Sequence, residues 1–220
     1  MKENNKISCI MLTYNRMDMA INSIANFLNQ TYENKELIII NTGTEWYQRT
    51  LGSFIDSQNN ESLKHIIHYR SPYESLGSLR NLGMFHATGN YIATWDDDDV
   101  NSRTRLESQM YWLEKENADM VFFKNFKMRI EYSKQTFKVE YKNGLEPTML
   151  MKRIENVFYP LINKHEDSFF IKDLVDSYNY IKFVIDNDSN DYIYNCHSDN
   201  VSGRNHFDTI LKINKSSLIQ

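Results

Sequence analysis

The chain has 220 residues, 41% of them hydrophobic and 25% charged, with a net charge of −4 at pH 7. That size and composition suffice for one α/β domain with a full apolar core, which excludes disordered and disulfide-stapled classes. The acidic balance, without a long basic run, argues against a nucleic-acid-binding surface, and no apolar stretch approaches the roughly 18 residues of a membrane span.

The polar stretch Met1–Lys6 and the short apolar run Ile7–Leu12 do not make a signal peptide. Ile7–Leu12 reads instead as a buried strand. Asp18 is expected to cap a helix whose apolar face is Ile21, Ile24, Ala25 and Leu28. Leu37–Ile40 is a second strand, Trp46–Ile55 a helix, and His65–Tyr69 a third strand. A helix from Ser75 carries Leu79, Leu82, Gly83 and His86 on one face, with Gly89 as its left-handed terminator. Tyr91–Trp95 is a fourth strand, followed by a helix with Leu106, Met110 and Leu113. Met120–Phe123 is a fifth strand.

This alternation predicts a mostly parallel, Rossmann-like sheet with right-handed crossovers. Ligands of such sheets lie beyond the carboxyl ends of the strands. There the sequence places Thr13-Tyr14-Asn15-Arg16, Asn41-Thr42-Gly43-Thr44 and Asp96-Asp97-Asp98-Asp99.

Later residues read as a hairpin, Lys127–Tyr132 with Phe137–Tyr141, then a strand at Met149–Met151 with a short helix near Arg153. Asp167–Val175 reads as helix, Tyr192–Cys196 as extended, and the tail from Thr209 carries no pattern. The pattern loosens after residue 125, with no clean domain boundary. Cys9 and Cys196 form no spaced motif, as reduced cytoplasmic thiols would.

Four adjacent carboxylates repel one another by about 1 kcal/mol per close pair even in water. A divalent cation removes that cost, and a few oxygen ligands suit Mg2+ or Mn2+ better than zinc. Alternation in extended backbone points Asp96 and Asp98 together and Asp97 away. A solvated acidic turn is the plainer reading. An EF-hand is excluded, because Val100 and Asn101 stand where a ligand and a glycine are needed.

Ser8-Cys9-Ile10-Met11-Leu12-Thr13-Tyr14-Asn15-Arg16 resembles the opening strand and turn of the GT-A glycosyltransferases of family 2. Gln30-Thr31-Tyr32 with Glu36-Leu37-Ile38-Ile39-Ile40, and Leu79-Arg80-Asn81-Leu82-Gly83 with Ala87-Thr88-Gly89-Asn90-Tyr91-Ile92 before the acidic run, resemble later motifs of that family in the same order. The resemblance implies transfer of a sugar, with inversion, from a nucleotide diphosphate donor. Thr13 and Tyr14 would line the base and ribose pocket, with Asn15, Arg16 and Gly43 beside them. Arg80 would reach the nucleotide or its phosphates, Asp96 the ribose or sugar, and Asp97 would also face the donor. Asp98, supported by Asp99, would hold the metal. Asn41 stands where the family has an acidic residue. Its oxygen still accepts from uracil, so a UDP-sugar is the favoured donor.

Inverting transfer also needs a base. His165-Glu166-Asp167-Ser168-Phe169-Phe170 resembles the family's Glu-Asp segment, which implies Asp167 as base and Glu166 as acceptor ligand. On the residues alone, Asp167 serves equally as a helix cap. Cys196-His197-Ser198-Asp199-Asn200-Val201-Ser202 resembles a late family segment from which His197 would reach the metal or diphosphate. A hydrogen-bonded loop histidine is the alternative. Arg204 is a candidate for phosphate. Aromatics between Phe122 and Phe170 offer an acceptor shelf, or simply core. The missing membrane helix implies a soluble acceptor or a docking partner; glycan, lipid-linked and protein acceptors stay open. The competing functions are a sugar nucleotidyltransferase, which Thr13–Met17 disfavours by lacking glycine, and a non-catalytic nucleotide-sugar-binding module.

Overall fold

A computed structural model describes residues 5–198, 200 and 204–219, except for the side chains of 204–206 and 213. Asp199, Val201 and Ser202 lie outside the described residues, as does the Arg204 side chain.

β1 (Ile7–Thr13) and β2 (Lys35–Asn41) are buried at nearly every position, as strands covered on both faces must be. They pair in parallel, with β3 (Leu63–Ile67) outside β2 and β4 (Tyr91–Thr94) on the other side of β1. The crossovers are α1 (Met17–Leu28), α2 (Glu45–Ser57) and α3 (Leu76–His86). β5 (Val100–Asn101) and α4 (Arg105–Lys115) lead to β6 (Met120–Phe123). β7 (Asn125–Ile130) and β8 (Gln135–Glu140) form the expected hairpin. A 3-10 turn, Glu146–Thr148, precedes β9 (Leu150–Lys152), which inserts antiparallel between β4 and β6. α5 (Glu166–Tyr178) and β10 (Lys182–Ile185) complete a seven-stranded sheet in the order β10-β6-β9-β4-β1-β2-β3. β11 (Tyr192–Cys196), α6 (Arg204–Ile213) and β12 (Lys215–Leu218) follow. A second sheet runs β12-β8-β7-β11-β5.

Two cores flank the large sheet. One gathers Ile24, Phe27 and Leu51 of α1 and α2 with Leu106 and Leu113 of α4 and Trp95. The other gathers Leu79 and Met84 of α3 with Phe170 and Leu174 of α5. β9 and β10, both from residues 126–220, lie in the large sheet, so the second half of the chain completes the first half's layer.

Local expectations fail at four places. Asp18 lies inside the first turn of α1, and Arg16 is the N-cap residue. Its carboxylate complements the helix dipole without capping. Gly89 does not end α3, which stops at His86; a Cβ at Gly89 would meet the Lys6 carbonyl oxygen at 2.5 Å, so tight packing on β1 is what glycine serves there. Arg153 lies in a turn, not a helix. The tail after Thr209 holds ordered structure, α6 and β12.

Candidate functional site

The acidic run leaves β4 at its carboxyl end and enters a cavity of about 500 Å3. The cavity is lined by Arg16, Arg80 and Asp96–Asp98 on the sheet side, and by Glu146 and Glu166–Ser168 on the other. Residues about 70 apart in sequence are thus brought to face one another.

Arg16 is the hub of the acidic run, which is a turn and not extended backbone, so Asp97 joins Asp98 on one arginine instead of pointing away from it. Its guanidinium pairs with Asp97 and, at 2.8 Å, with Oδ2 of Asp98. Asp98 Oδ2 also contacts His197 Nε2 at 3.1 Å and accepts from Asn200 Nδ2 at 3.1 Å. Burial pushes the Asp98 carboxyl up, but the His197 hydrogen bond and Arg16 outweigh it and hold the group below the usual carboxylate range. Asp96 and Asp97 go the other way. Burial and the neighbouring carboxylates push them to about 6 and about 7, against the pull of Arg80 and Arg16 respectively. The second oxygen of Asp97, Oδ2, is buried without a hydrogen-bond partner among the described residues.

Asp99 turns away from this cavity. Tyr192 donates to its Oδ2, and the Asn195 amide N–H donates to Oδ1 at 2.9 Å. It therefore ties the run to β11 of the second sheet, while Asn195 Nδ2 donates to the Asp98 carbonyl oxygen at 2.6 Å.

Across the cavity, α5 opens at His165, whose φ of 61° makes a sharp entry. Glu166 is buried and accepts from Arg80 Nε at 3.0 Å; Arg80 Nη2 stands 3.8 Å from Asp96 Oδ1. Arg80 also lies over the Tyr159 ring, 5.8 Å from its centroid. One guanidinium thus spans the two carboxylate groups. Asp167 is half-buried in the first turn, its Oδ1 accepting from the Ser168 amide N–H at 2.8 Å.

Thr13, Asn15, Asn41 and Gly43 form a second cluster at the carboxyl ends of β1 and β2. Thr13 is buried with its hydroxyl 2.5 Å from that of Tyr47, whereas Tyr14 is exposed. Asn15 is left-handed (φ 52°) and its Oδ1 accepts from the Thr44 amide at 2.9 Å. Asn41 is fully buried, its Oδ1 accepting from the Gly43 amide at 3.0 Å and its Nδ2 standing 3.0 Å from His65 Nε2. A Cβ at Gly43 would meet the Tyr47 ring at 2.3 Å, so only glycine lets the turn close.

Among the described residues no three His, Cys, Asp or Glu side chains form a complete cation cage. Asp98 beside His197 is a two-member donor set in which Asp98 Oδ2 is paired with Arg16, His197 and Asn200. It fits Mg2+ or Mn2+, which bind through one or two carboxylates and complete their shell with phosphate oxygens and water. It does not fit a closed zinc site.

Sequence reasoning missed three contributors. Glu146 sits in a Pro-containing turn that reads as loop. His65 reads only as part of a strand, yet its Nε2 stands 3.0 Å from Asn41 Nδ2 and positions that side chain. Arg105 is fully buried, its guanidinium donating to Asn101 Oδ1 at 2.6 Å and the Thr94 carbonyl oxygen at 2.9 Å, between the rings of Trp95 and Tyr192. The Arg105-x-x-x-Gln109 spacing on α4, where Arg105 Nε donates to Gln109 Oε1 at 3.2 Å, is the signal that could have revealed it.

A mostly parallel sheet, an acidic run at the end of β4 and a carboxylate-bearing helix across the cleft define the GT-A fold. Residues 8–183 match the model of Glycosyl transferase family 2, and the chain belongs to that family. An uncharacterized glycosyltransferase of Rickettsia bellii is 38% identical over 112 residues, which is 51% of this chain and 16% of that protein. The putative colanic acid biosynthesis glycosyl transferase WcaA of Escherichia coli is 35% identical over 48% of this chain and 37% of its own length. The chain thus spans only a fraction of these relatives. Among solved structures, S. aureus TarS in complex with UDP-GlcNAc superposes with a TM-score of 0.68 at 16% identity, covering 87% of this chain and 59% of that one. A mannosyltransferase from Pyrobaculum calidifontis in complex with GDP-Man and Mn2+ gives 0.67 at 16% identity, covering 86% and 56%. Among the described residues no helix is long and apolar enough to cross a membrane.

Proposed function

We propose that this chain is an inverting, metal-assisted glycosyltransferase that moves a sugar from a nucleotide diphosphate donor, UDP-linked by preference, to an acceptor hydroxyl. The observation that carries the reading is the placement of Asp96 and Asp98 on one wall of a single cavity with Asp167 on the opposite wall. The family membership and the nucleotide-sugar complexes of the structural neighbours support it.

In this reading Thr13, Tyr14, Asn15, Asn41 and Gly43 seat the nucleoside, and Arg16 and Arg80 face its phosphates and ribose beside Asp96 and Asp97. Asp98 and His197 would hold Mn2+ or Mg2+, with Asp99 fixing the run behind them. Bound there, the ion would supply Lewis-acid stabilisation of the leaving diphosphate. The acceptor hydroxyl oxygen forms the new bond to the anomeric carbon as the bond to the diphosphate oxygen breaks. Asp167 accepts the hydroxyl proton. Its Oδ1 accepts from the Ser168 amide N–H at the start of α5, which fixes the carboxyl group at the cavity wall. Glu166, pinned by Arg80, lies where an acceptor hydroxyl would be oriented. Residues 1–125 chiefly contribute the donor half of the cavity and 126–220 the acceptor half. A cytoplasmic location suits the two buried free cysteines.

The test is a nucleotide-sugar panel with Mn2+, followed by release of nucleoside diphosphate and the anomeric configuration of the product by NMR. Inverted product, or slow donor hydrolysis that chelator abolishes, is the expected result. Retention of configuration contradicts the mechanism, and stabilisation by triphosphates alone contradicts the donor class.

A further inference from the structure

The carboxylates of the cavity divide into two sets. Asp96 and Glu166 face Arg80, and Asp97 and Asp98 face Arg16. Glu146 and Asp167 have neither arginine as a hydrogen-bond partner. Glu146 Oε1 receives the Ser168 hydroxyl at 3.3 Å, and Asp167 receives the Ser168 amide. Lys182 is a cation whose field reaches Glu146, but its ammonium lies over the Phe122 ring, 4.5 Å from the centroid. Two acceptor groups therefore converge on the cavity with lone pairs available to a ligand.

Glu146 is also held rigidly in place. The Pro147 carbonyl oxygen accepts from Thr94 Oγ1 at 2.6 Å and from Arg105 at 3.3 Å. The Thr148 carbonyl oxygen accepts from Gln109 at 2.5 Å, and the Thr148 hydroxyl donates to the Leu145 carbonyl oxygen at 2.6 Å. Thr94 lies two residues before Asp96, so this bracing fixes the turn to the strand that bears the acidic run. These bonds brace the backbone on which the Glu146 side chain is carried, and a carboxylate mounted on a fixed turn is pre-positioned for a ligand.

We infer that Glu146 accepts hydrogen bonds from ring hydroxyls of the transferred sugar and, together with Asp167, excludes sugars that carry a carboxylate. The inference rests on the donor reading above and names the class of sugar within it: neutral hexoses, not uronic acids. The physical reason is paired. A carboxylate is an acceptor-only group that matches hydroxyl donors. A third negative charge brought against Glu146 and Asp167 meets repulsion from both, while Arg16 and Arg80 of the same cavity are already paired with carboxylates and Lys164 of its lining is exposed to solvent, and such juxtaposition is a specific means of rejection. Burial already pushes the Glu146 carboxyl up, and the facing Asp167 adds to this, against the opposing effects of its own backbone N–H, Lys182 and Ser168.

The experiment is titration calorimetry with Mn2+ on wild type, Glu146→Gln and Glu146→Asp. The ligands are UDP, GDP, and two matched pairs: UDP-glucose with UDP-glucuronic acid, and GDP-mannose with GDP-mannuronic acid. Wild type is expected to bind the neutral member of its preferred pair about tenfold or more tightly than the uronate. Glu146→Gln should shrink that ratio at least about threefold while leaving affinity for the sugar-free diphosphate unchanged. Glu146→Asp, which keeps the charge, should retain discrimination and serves if the glutamine variant does not fold. A ratio near one in wild type, or a ratio unchanged in Glu146→Gln, overturns the assignment of Glu146 but leaves the donor reading standing. Failure of wild type to bind either diphosphate overturns both.

Discussion

Replacing Glu36 by glutamine should cost the fold about 3 kcal/mol at neutral pH, because its carboxylate joins three neighbouring strands of the large sheet. Its side chain is 1% exposed, and Oε2 pairs with Lys6 at 2.7 Å and Lys64 at 2.8 Å. Oε1 accepts from the Ser8 hydroxyl at 2.5 Å and the Thr88 amide at 2.7 Å. These groups belong to β1, β3 and the turn before β4. Removing one member of a buried ion pair costs about 3–5 kcal/mol. Lys6 and Lys64 are 30% and 34% exposed, so their ammoniums regain water and the lower end applies. For a chain of this size about 3 kcal/mol corresponds to a fall in Tm of roughly 6–12 °C.

The pH dependence follows from the same contacts. Burial opposes ionisation, but Lys6, Lys64 and Ser8 outweigh it and hold the Glu36 carboxyl far below the usual range. A depressed native pKa gives stability that is fully present above the unfolded value, about 4.3, and is lost as pH falls through the native one. Melting curves of the two proteins should therefore stand apart at pH 7 and converge as pH drops below about 4. A gap under about 2 °C at pH 7, or one that widens on acidification, refutes the reasoning. Glu36 lies at the amino end of β2, opposite the cavity, so donor affinity should be unaffected.

Other outcomes follow from the same geometry. Asp167→Asn should leave donor binding intact and lower the transfer rate by about 100-fold or more, read as kcat with saturating donor; full activity would retire the base. Gly77→Ala should destabilise the protein by more than about 1 kcal/mol, seen in urea melts, since its Cβ would lie 1.8 Å from the Pro160 carbonyl oxygen and must push the loop before α5 off α3. Tyr192→Phe should leave a buried Asp99 oxygen without its hydroxyl donor and cost about 1–3 kcal/mol, with Asp98-dependent metal affinity weakened in parallel.

The elements legible in the sequence are those whose signal is local. β1 through α3 alternate apolar runs with helical spacing, and the polar residues that follow β1, β2 and β4 gather at one edge as that topology requires. What escaped depends on distant pairing. β9 is three residues long and antiparallel between two parallel strands, and β10 completes the sheet from 62 residues beyond β6, Lys182 pairing with Met120. Neither length nor periodicity marks such strands. At the site, the acidic run and Glu166–Asp167 stood out by composition and family likeness. Glu146 did not, because a glutamate before proline in a turn is ordinary until Thr94 and Arg105 are seen to brace it. The direction of Asp99 was equally hidden, since its partners Tyr192 and Asn195 lie more than 90 residues away.

The central claim is that Asp98 binds a divalent ion through which the donor diphosphate is held. Titration of UDP and GDP into wild type and Asp98→Asn, each with Mn2+ and with chelator, tests it directly. The account predicts tight binding by wild type with Mn2+ alone, and loss of that binding either in chelator or in Asp98→Asn. Equal affinity in all four conditions would contradict it.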